Sequence, residues 1–341
     1  MKFISDLQFQ KNFLKQHKAY LKKGVYVQHD NLRTYILKGY KLDDWFPNGK
    51  YTPQKLIKKF VAHALYSVRV AENGNDFPAQ AVYFANTPDH SNRDAKFFDY
   101  ESKRLRTICP NKARFDTYIH NWQYFKNYFP LPDLLFADEE HFVFDEKMIE
   151  KRSVPYSEWQ TVFQTIFDIY SAYFHTPGID KKDLVYKCVY MSNGENEHSN
   201  QSITLYRQHG DLSADNFIYD ADGKIFFIDY EHADYYPFFY DLFFLIVHSY
   251  VCENNDIGIK LLESGAFDSY INSMVSTGIS SVYDAFFIFS DYFLGVCKKD
   301  GVPEDWCTKY KKIFCDICAN KILYRSFFKK VINKLKRMLK K

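Results

Sequence analysis

The sequence predicts an α+β protein in which a small antiparallel sheet comes first and a larger, mostly helical part follows. Three observations carry this. Strand-like runs bounded by turn residues gather between Val61 and Phe144. Helical periodicity dominates from Ser157 onward. The 341 residues, 46% hydrophobic and 26% charged, suffice for two parts with a core each. The expected divisions are an N-terminal extension over 1–60, packed on the sheet, a sheet part with its connector over 61–151, a helical part over 152–326, and a basic tail over 327–341.

Taken in order, Phe3, Leu7, Phe13 and Leu14 suit an amphipathic helix in a Lys-rich setting, and Thr34 to Tyr40 reads as a strand. Neither carries chemistry. Val61 to Val70 and Ala81 to Ala85 read as strands separated by a turn at Asn73-Gly74. Ala95 to Ile108 reads as a helix, because Phe98, Glu101, Leu105 and Ile108 recur at helical spacing, which puts Glu101 on its inward stripe. An exposed helix carboxylate is the plainer account of Glu101. Two short strands, Leu134 to Ala137 and His141 to Phe144, follow Pro130 and Pro132, and Glu146 to Val154 is a connector. Ser157 to His175 is a helix wrapped in apolar residues, Ser192 to Ser202 reads as a polar loop, and four helices follow from Phe239 onward.

Composition excludes several roles. A net charge of +3 without a concentrated basic face argues against nucleic-acid binding. Seven cysteines, an odd number without dense spacing, together with no secretory-signal pattern, point to a reducing, cytoplasmic setting. Cys315 and Cys318 lie within a helical pattern and read as core residues rather than zinc ligands. No apolar run reaches the roughly 18 residues of a spanning helix.

The chemistry is concentrated between Arg207 and Asp241. His209-Gly210-Asp211-Leu212 is followed by Asn216, a turn at Asp220 to Gly223, and the apolar strand Ile225 to Ile228, which ends in Asp229. A proton acceptor, a metal-binding amide and a metal-binding carboxylate are what phosphoryl transfer needs, since that chemistry is mostly positioning and charge neutralisation. A polar hairpin with a strand-end Asp is the plain alternative, but it does not require all four polar residues at these separations.

These residues, with Ile228-Asp229-Tyr230-Glu231 and Asp241-Leu242, resemble the aminoglycoside phosphotransferase and choline/ethanolamine kinase branch of the protein-kinase-like fold, a family that also contains kinases of surface-glycan sugars such as those of lipopolysaccharide. The resemblance implies a bilobal kinase-like fold, ATP as phosphoryl donor and Mg²⁺. It implies that Asp211 orients or deprotonates the acceptor hydroxyl, and that His209 braces the catalytic loop while Asp241 ties it down. Asn216 and Asp229 would hold Mg²⁺, with Glu231 adding a water-mediated metal contact or a substrate contact. Met148, Ile149 and Glu150 would form the connector that meets adenine, with Ile228 beside the nucleotide, and Glu101 would be the helix carboxylate that pairs with a phosphate-binding lysine. The strand Ala81 to Ala85, where that lysine belongs, has none, so Lys96 and Arg69 are the candidate cations. No Gly-rich phosphate loop is present.

In the tail, Phe327, Phe328, Val331, Leu335, Met338 and Leu339 form one helical stripe with lysines and Arg337 around it. Such a helix suits an anionic membrane surface at the inner face, or a solvated helix docked on its own lobe. The expectation is therefore an ATP- and Mg²⁺-dependent kinase of a small-molecule or glycan hydroxyl, with a lipid-linked or surface-polysaccharide sugar favoured over choline or an aminoglycoside. The alternative class is a catalytically degenerate kinase-fold binding or scaffold protein.

Overall fold

The computed structural model describes residues 2–29, 33–40, 53–74, 77–85, 93–192, 195–268, 270, 282–299, 302 and 304–317. The basic tail 327–341 lies outside the described residues. The chain divides into two compact units, one of Met1–Val154 with Asn216–Glu231, the other of Pro155–Asp215 with His232–Lys341. No helix among the described residues is long and apolar enough to cross a membrane.

The first unit is built on an eight-stranded, wholly antiparallel sheet. Its strands are β1 (Gly24–Gln28), β2 (Thr34–Leu37), β3 (Val68–Val70), β4 (Ala81–Phe84), β5 (Ala95–Asp99), β6 (Arg104–Ile108), β7 (Leu134–Asp138) and β8 (Val143–Lys147), in the order β3-β1-β2-β4-β5-β6-β8-β7. Because side chains alternate along a strand, one face gathers Tyr26, Val82, Phe84, Phe97, Ile108 and Val143. The helix α1 (Lys2–Gln16) covers this face with Leu14, Phe9 and Phe13. Below it Arg106 spans two aromatic rings, Phe77 and Tyr20, and forks onto the buried Asp145. The opposite face gathers Ile36, Ala81, Phe98 and Met148, and farther along Phe144 against α3 (Lys112–Phe125).

Two stretches of this unit differ from the sequence expectation. Ala95 to Ile108 is not a helix but the β5–β6 hairpin, and Glu101 sits in its turn. Phe98 pairs with Leu105 across the hairpin, so two residues on one sheet face also stand seven apart, two helical turns. The helix lies later, where Asn111 caps it by accepting from the Arg114 backbone N–H at 3.0 Å. Likewise Val61 to Tyr66 belongs to the helix α2 (Pro53–Tyr66), which starts at a proline, and only Val68–Val70 is strand.

The second unit carries α4 (Trp159–Phe174), a long hairpin of β9 (Lys181–Ser192) and β10 (Glu195–Gln208), then α5 (Tyr240–Glu253), α6 (Ile257–Ser264), and helices over Val282–Lys299 and 304–317. Within the expected loop at Ser192 to Ser202, Ser192 and Glu195 to Ser202 are therefore strand, paired in register from Glu195↔Ser192 to Tyr206↔Lys181. Aromatic rings hold the helices together, among them Tyr240, Phe243, Phe286, Phe289 and Phe314. The short two-stranded ribbon of β11 (Phe217–Tyr219) and β12 (Ile225–Phe227) belongs to the first unit. A further strand, β13 (Asp234–Pro237), pairs with β10 in the second.

Candidate active site

The loop that holds Asp211 is fixed from three directions within the second unit. Asp241, in the first turn of α5 and fully buried, accepts the His209 N–H at 2.7 Å on Oδ2 and the Gly210 N–H at 2.8 Å on Oδ1. Tyr170 of α4 donates its hydroxyl to the same Oδ2 at 2.7 Å. One residue back, the Gln208 amide donates to the Tyr236 and Pro237 carbonyls at 2.8 and 2.7 Å, and Tyr173 donates to the Arg207 carbonyl. Burial pushes the Asp241 carboxyl up to about 6, against the pull of these donors. Gly210 adopts φ +82°, and a Cβ there would come within 2.4 Å of the His232 carbonyl oxygen. Glycine is required at this bend. The Asp211 N–H lies 3.3 Å from His209 Nδ1, so the buried histidine supports the turn that presents Asp211.

Five residues beyond Asp211 the chain enters the first unit. Here the β11–β12 ribbon places Asn216 at one strand start and Asp229 just past the other strand end. The Ile228 N–H donates to the Asn216 carbonyl at 3.1 Å, which closes the ribbon mouth between the two side chains. Its far turn is held by Asp220, which accepts the Asp222 and Lys224 N–H groups at 2.9 and 2.8 Å. Asp229 has φ +68°, a left-handed conformation that turns the chain sharply at the functional position.

Around Asp229 stands a cluster of charges, all within this unit. Lys96 Nζ lies 3.3 Å from Asp229 Oδ2, and the Tyr118 hydroxyl lies 3.4 Å from Oδ1. Arg114, on α3, donates to Asp94 Oδ2 from Nε and Nη2 at 3.1 and 3.0 Å and pairs with Glu231 as well. Asn121 donates to the Tyr230 carbonyl at 2.6 Å, and Phe125 stacks on the Tyr230 ring, so α3 anchors the segment that carries Asp229 and Glu231. Burial alone would oppose the charge of Lys96, but Asp229, Asp94 and Glu146 raise its pKa. Glu146, buried on β8, is pushed up to about 7 by desolvation despite the pull of Lys96.

Of the two candidate cations, Lys96 lies in this cluster and Arg69 does not. Lys96 is on β5, not on β4, and it is the strand lysine that meets Asp229. Arg69 is exposed on β3 and lies outside this cluster. Glu101, expected to pair with the phosphate-binding lysine, is half-exposed in the β5–β6 turn, where it pairs with Lys22 and accepts from Tyr40 at 2.7 Å. Met148, Ile149 and Glu150 follow β8 directly. The Met148 N–H donates to the Lys103 carbonyl at 2.9 Å, and Glu150 pairs with Lys103. Asp94, Arg114, Tyr118 and Glu146 were missed by sequence reasoning. The Asn111 cap with Phe115, Tyr118 and Trp122 at helical spacing was the available signal for α3; nothing comparable marked Asp94 or Glu146.

Among the described residues no group of three or more His, Cys, Asp or Glu side chains gathers as a metal cluster. The oxygen donors Asn216 and Asp229 fit Mg²⁺, which takes one or two carboxylates and fills its remaining positions with water and phosphate oxygens.

Residues 202–261 match the sequence profile of the phosphotransferase enzyme family. No curated protein matches the chain. Among solved structures the chain is similar to the choline kinase LicA from Streptococcus pneumoniae, at 12% identity over 78% of this chain and 99% of that one, with a TM-score of 0.43. It is similar to a thermostable mutant of the aminoglycoside phosphotransferase APH(4)-Ia in ternary complex with ADP and hygromycin B, at 9% identity over 71% and 94% of the two chains, TM-score 0.44. A putative fructosamine-3-kinase from Haemophilus somnus 129PT is similar at 12% identity over 69% and 90%, TM-score 0.42.

Proposed function

We propose that this chain, whose residues 202–261 form a phosphotransferase-family segment, transfers the γ-phosphoryl group of ATP to a hydroxyl of a small molecule or glycan. The observation that carries the reading is the ion pair of Lys96 with Asp229, a strand cation beside a carboxylate on the family segment. Lys96 binds the nucleotide phosphates; Asn216 and Asp229 would hold Mg²⁺, with Glu231 supporting that site. Met148, Ile149, Glu150 and Ile228 flank the adenine. Mg²⁺ bound there would supply neutralisation of the phosphate charge. Asp211 accepts the proton of the acceptor hydroxyl as its oxygen bonds to the γ-phosphorus and the bond to the β–γ bridging oxygen breaks, leaving ADP. His209 and Asp241 keep the Asp211 loop in place.

The favoured acceptor is a sugar of a lipid-linked or surface polysaccharide. The support for it is the basic amphipathic sequence 327–341, which suits an anionic membrane surface. A choline- or aminoglycoside-type acceptor is the alternative within the same chemistry. Lys96, a strand cation beside Asp229, favours turnover over the catalytically degenerate scaffold alternative.

The test is ADP release with Mg²⁺ and ATP over a panel of sugars, amino alcohols and aminoglycosides. Asp211→Asn is expected to lower kcat at least about a hundredfold for any active acceptor while ATP affinity stays near wild type. Turnover untouched by this substitution sinks the reading.

A further inference from the structure

The helix α3 brings no carboxylate to Lys96. Its one acidic residue, Asp116, is exposed and paired with Lys112. Its buried face consists of Phe115, Tyr118, Asn121 and Phe125, and the group it extends to Asp229 is the Tyr118 hydroxyl. Lys96 is therefore paired with Asp229, the residue that the phosphotransferase reading needs for a metal. Asp94 also acts on Lys96 but already accepts two hydrogen bonds from Arg114, so once Asp229 turns its oxygens to a cation the ammonium needs a carboxylate not so engaged to stay charged and aimed.

Glu146 stands where such a carboxylate is required. Lys96 is opposite Thr107 across β5–β6, and Thr107 is opposite Phe144 across β6–β8. Glu146 is two residues along β8 from Phe144, so it shares the sheet face of Lys96. With Tyr118 and Asp229 it lines one small cavity. It is only 7% exposed, and desolvation is the largest influence on its carboxyl. Lys96 and Glu146 interact electrostatically. Burying a carboxyl costs stability, and an apolar residue would pack there at no such cost. Perturbed groups of this kind gather at functional sites.

We propose that Glu146 is the positioning residue of Lys96: from β8 it holds the ammonium toward the nucleotide phosphates, in the role a helix carboxylate would otherwise fill. This rests on the phosphotransferase reading.

Glu146→Gln keeps the shape and removes the charge. By calorimetry, its Kd for Mg²⁺·ATP is expected to rise about tenfold, with KM for ATP rising in step and kcat changing less. Its melting temperature at pH 8 is expected to equal or exceed that of wild type, which separates positioning from damage to the fold. Lys96→Met is expected to show a similar loss, the double variant little more than either, and Glu146→Asp a partial recovery. Glu146→Gln that binds Mg²⁺·ATP within about twofold of wild type, while Lys96→Met is weakened, overturns the assignment, as do losses that simply add in the double variant. A wild-type protein that does not bind Mg²⁺·ATP overturns the phosphotransferase reading and this proposal with it.

Discussion

Arg106 meets Asp145 through two parallel hydrogen bonds, Nε to Oδ1 at 2.6 Å and Nη2 to Oδ2 at 2.9 Å, and the carboxylate side chain is fully buried. Arg104 reaches the same carboxylate from the next outward position of β6. The pair clamps β6 to β8 beneath α1. Removing one partner leaves a charge without compensation in the interior, so Asp145→Ala is expected to destabilise by about 3–5 kcal/mol. Thermal or urea denaturation checks this. A double replacement of Arg106 and Asp145 by apolar residues is expected to cost less than the sum of the single changes; additive losses would contradict it.

The Asp241 carboxylate receives three donors on two oxygens. Asn offers one acceptor oxygen and directs an NH₂ group at donors that need an acceptor. Asp241→Asn is expected to lower stability by roughly 2–4 kcal/mol and to cut turnover more than nucleotide affinity, because the loop carrying Asp211 loosens. Nucleotide affinity that collapses in parallel with turnover would place the defect elsewhere.

Gly210→Ala places a Cβ against the His232 carbonyl at a backbone angle that L-residues avoid. The expected cost is about 1–3 kcal/mol, with a fall in kcat well beyond that seen for Gly223→Ala. Gly223 also has positive φ, but its nearest neighbour is the Tyr219 hydroxyl at 3.3 Å. Kinetics and melting curves of the two variants, side by side, decide it.

The raised carboxyl of Glu146 gives a pH signature with a defined sign. Its folded pKa, about 7, lies above the ordinary value of 4.5, so the folded state holds this proton more tightly than the unfolded state. Stability from this group is full below about pH 4.5 and is lost as pH rises through about 7. Glu146→Gln removes that slope. Its melting temperature, relative to wild type, is expected to climb between pH 5 and pH 8; a difference that stays level across this window refutes the assignment.

The candidate site segment stood out in the sequence because its polar residues lie close together. His209, Asp211, Asn216 and Asp229 lie within twenty-one residues, and turn residues mark the ribbon between them. The sheet was legible where a short apolar run is bounded by turn residues, as at Thr34–Leu37, Ala81–Phe84 and Leu134–Asp138. The β5–β6 hairpin was not, because cross-strand partners seven residues apart imitate two helical turns. That misreading moved Glu101 onto a helix and hid Lys96 from the strand where it sits. Glu146 was invisible for a different reason: one carboxylate of the polar run Asp145-Glu146-Lys147 gains its meaning only from a sheet register set by β5 and β6.

The ribbon of β11 and β12 has a consequence for how the protein is made. The Phe227 N–H donates to the Pro130 carbonyl and Asn121 donates to the Tyr230 carbonyl, contacts that join positions about a hundred residues apart. At a synthesis rate of ~5–20 residues per second, the α3 surface awaits its cover for ~5–20 seconds after it emerges from the ribosome. During that interval Phe125 lacks the Tyr230 ring that stacks on it. Slow codons placed between these segments would lengthen it, and a chaperone that shields aromatic surface would find its client there.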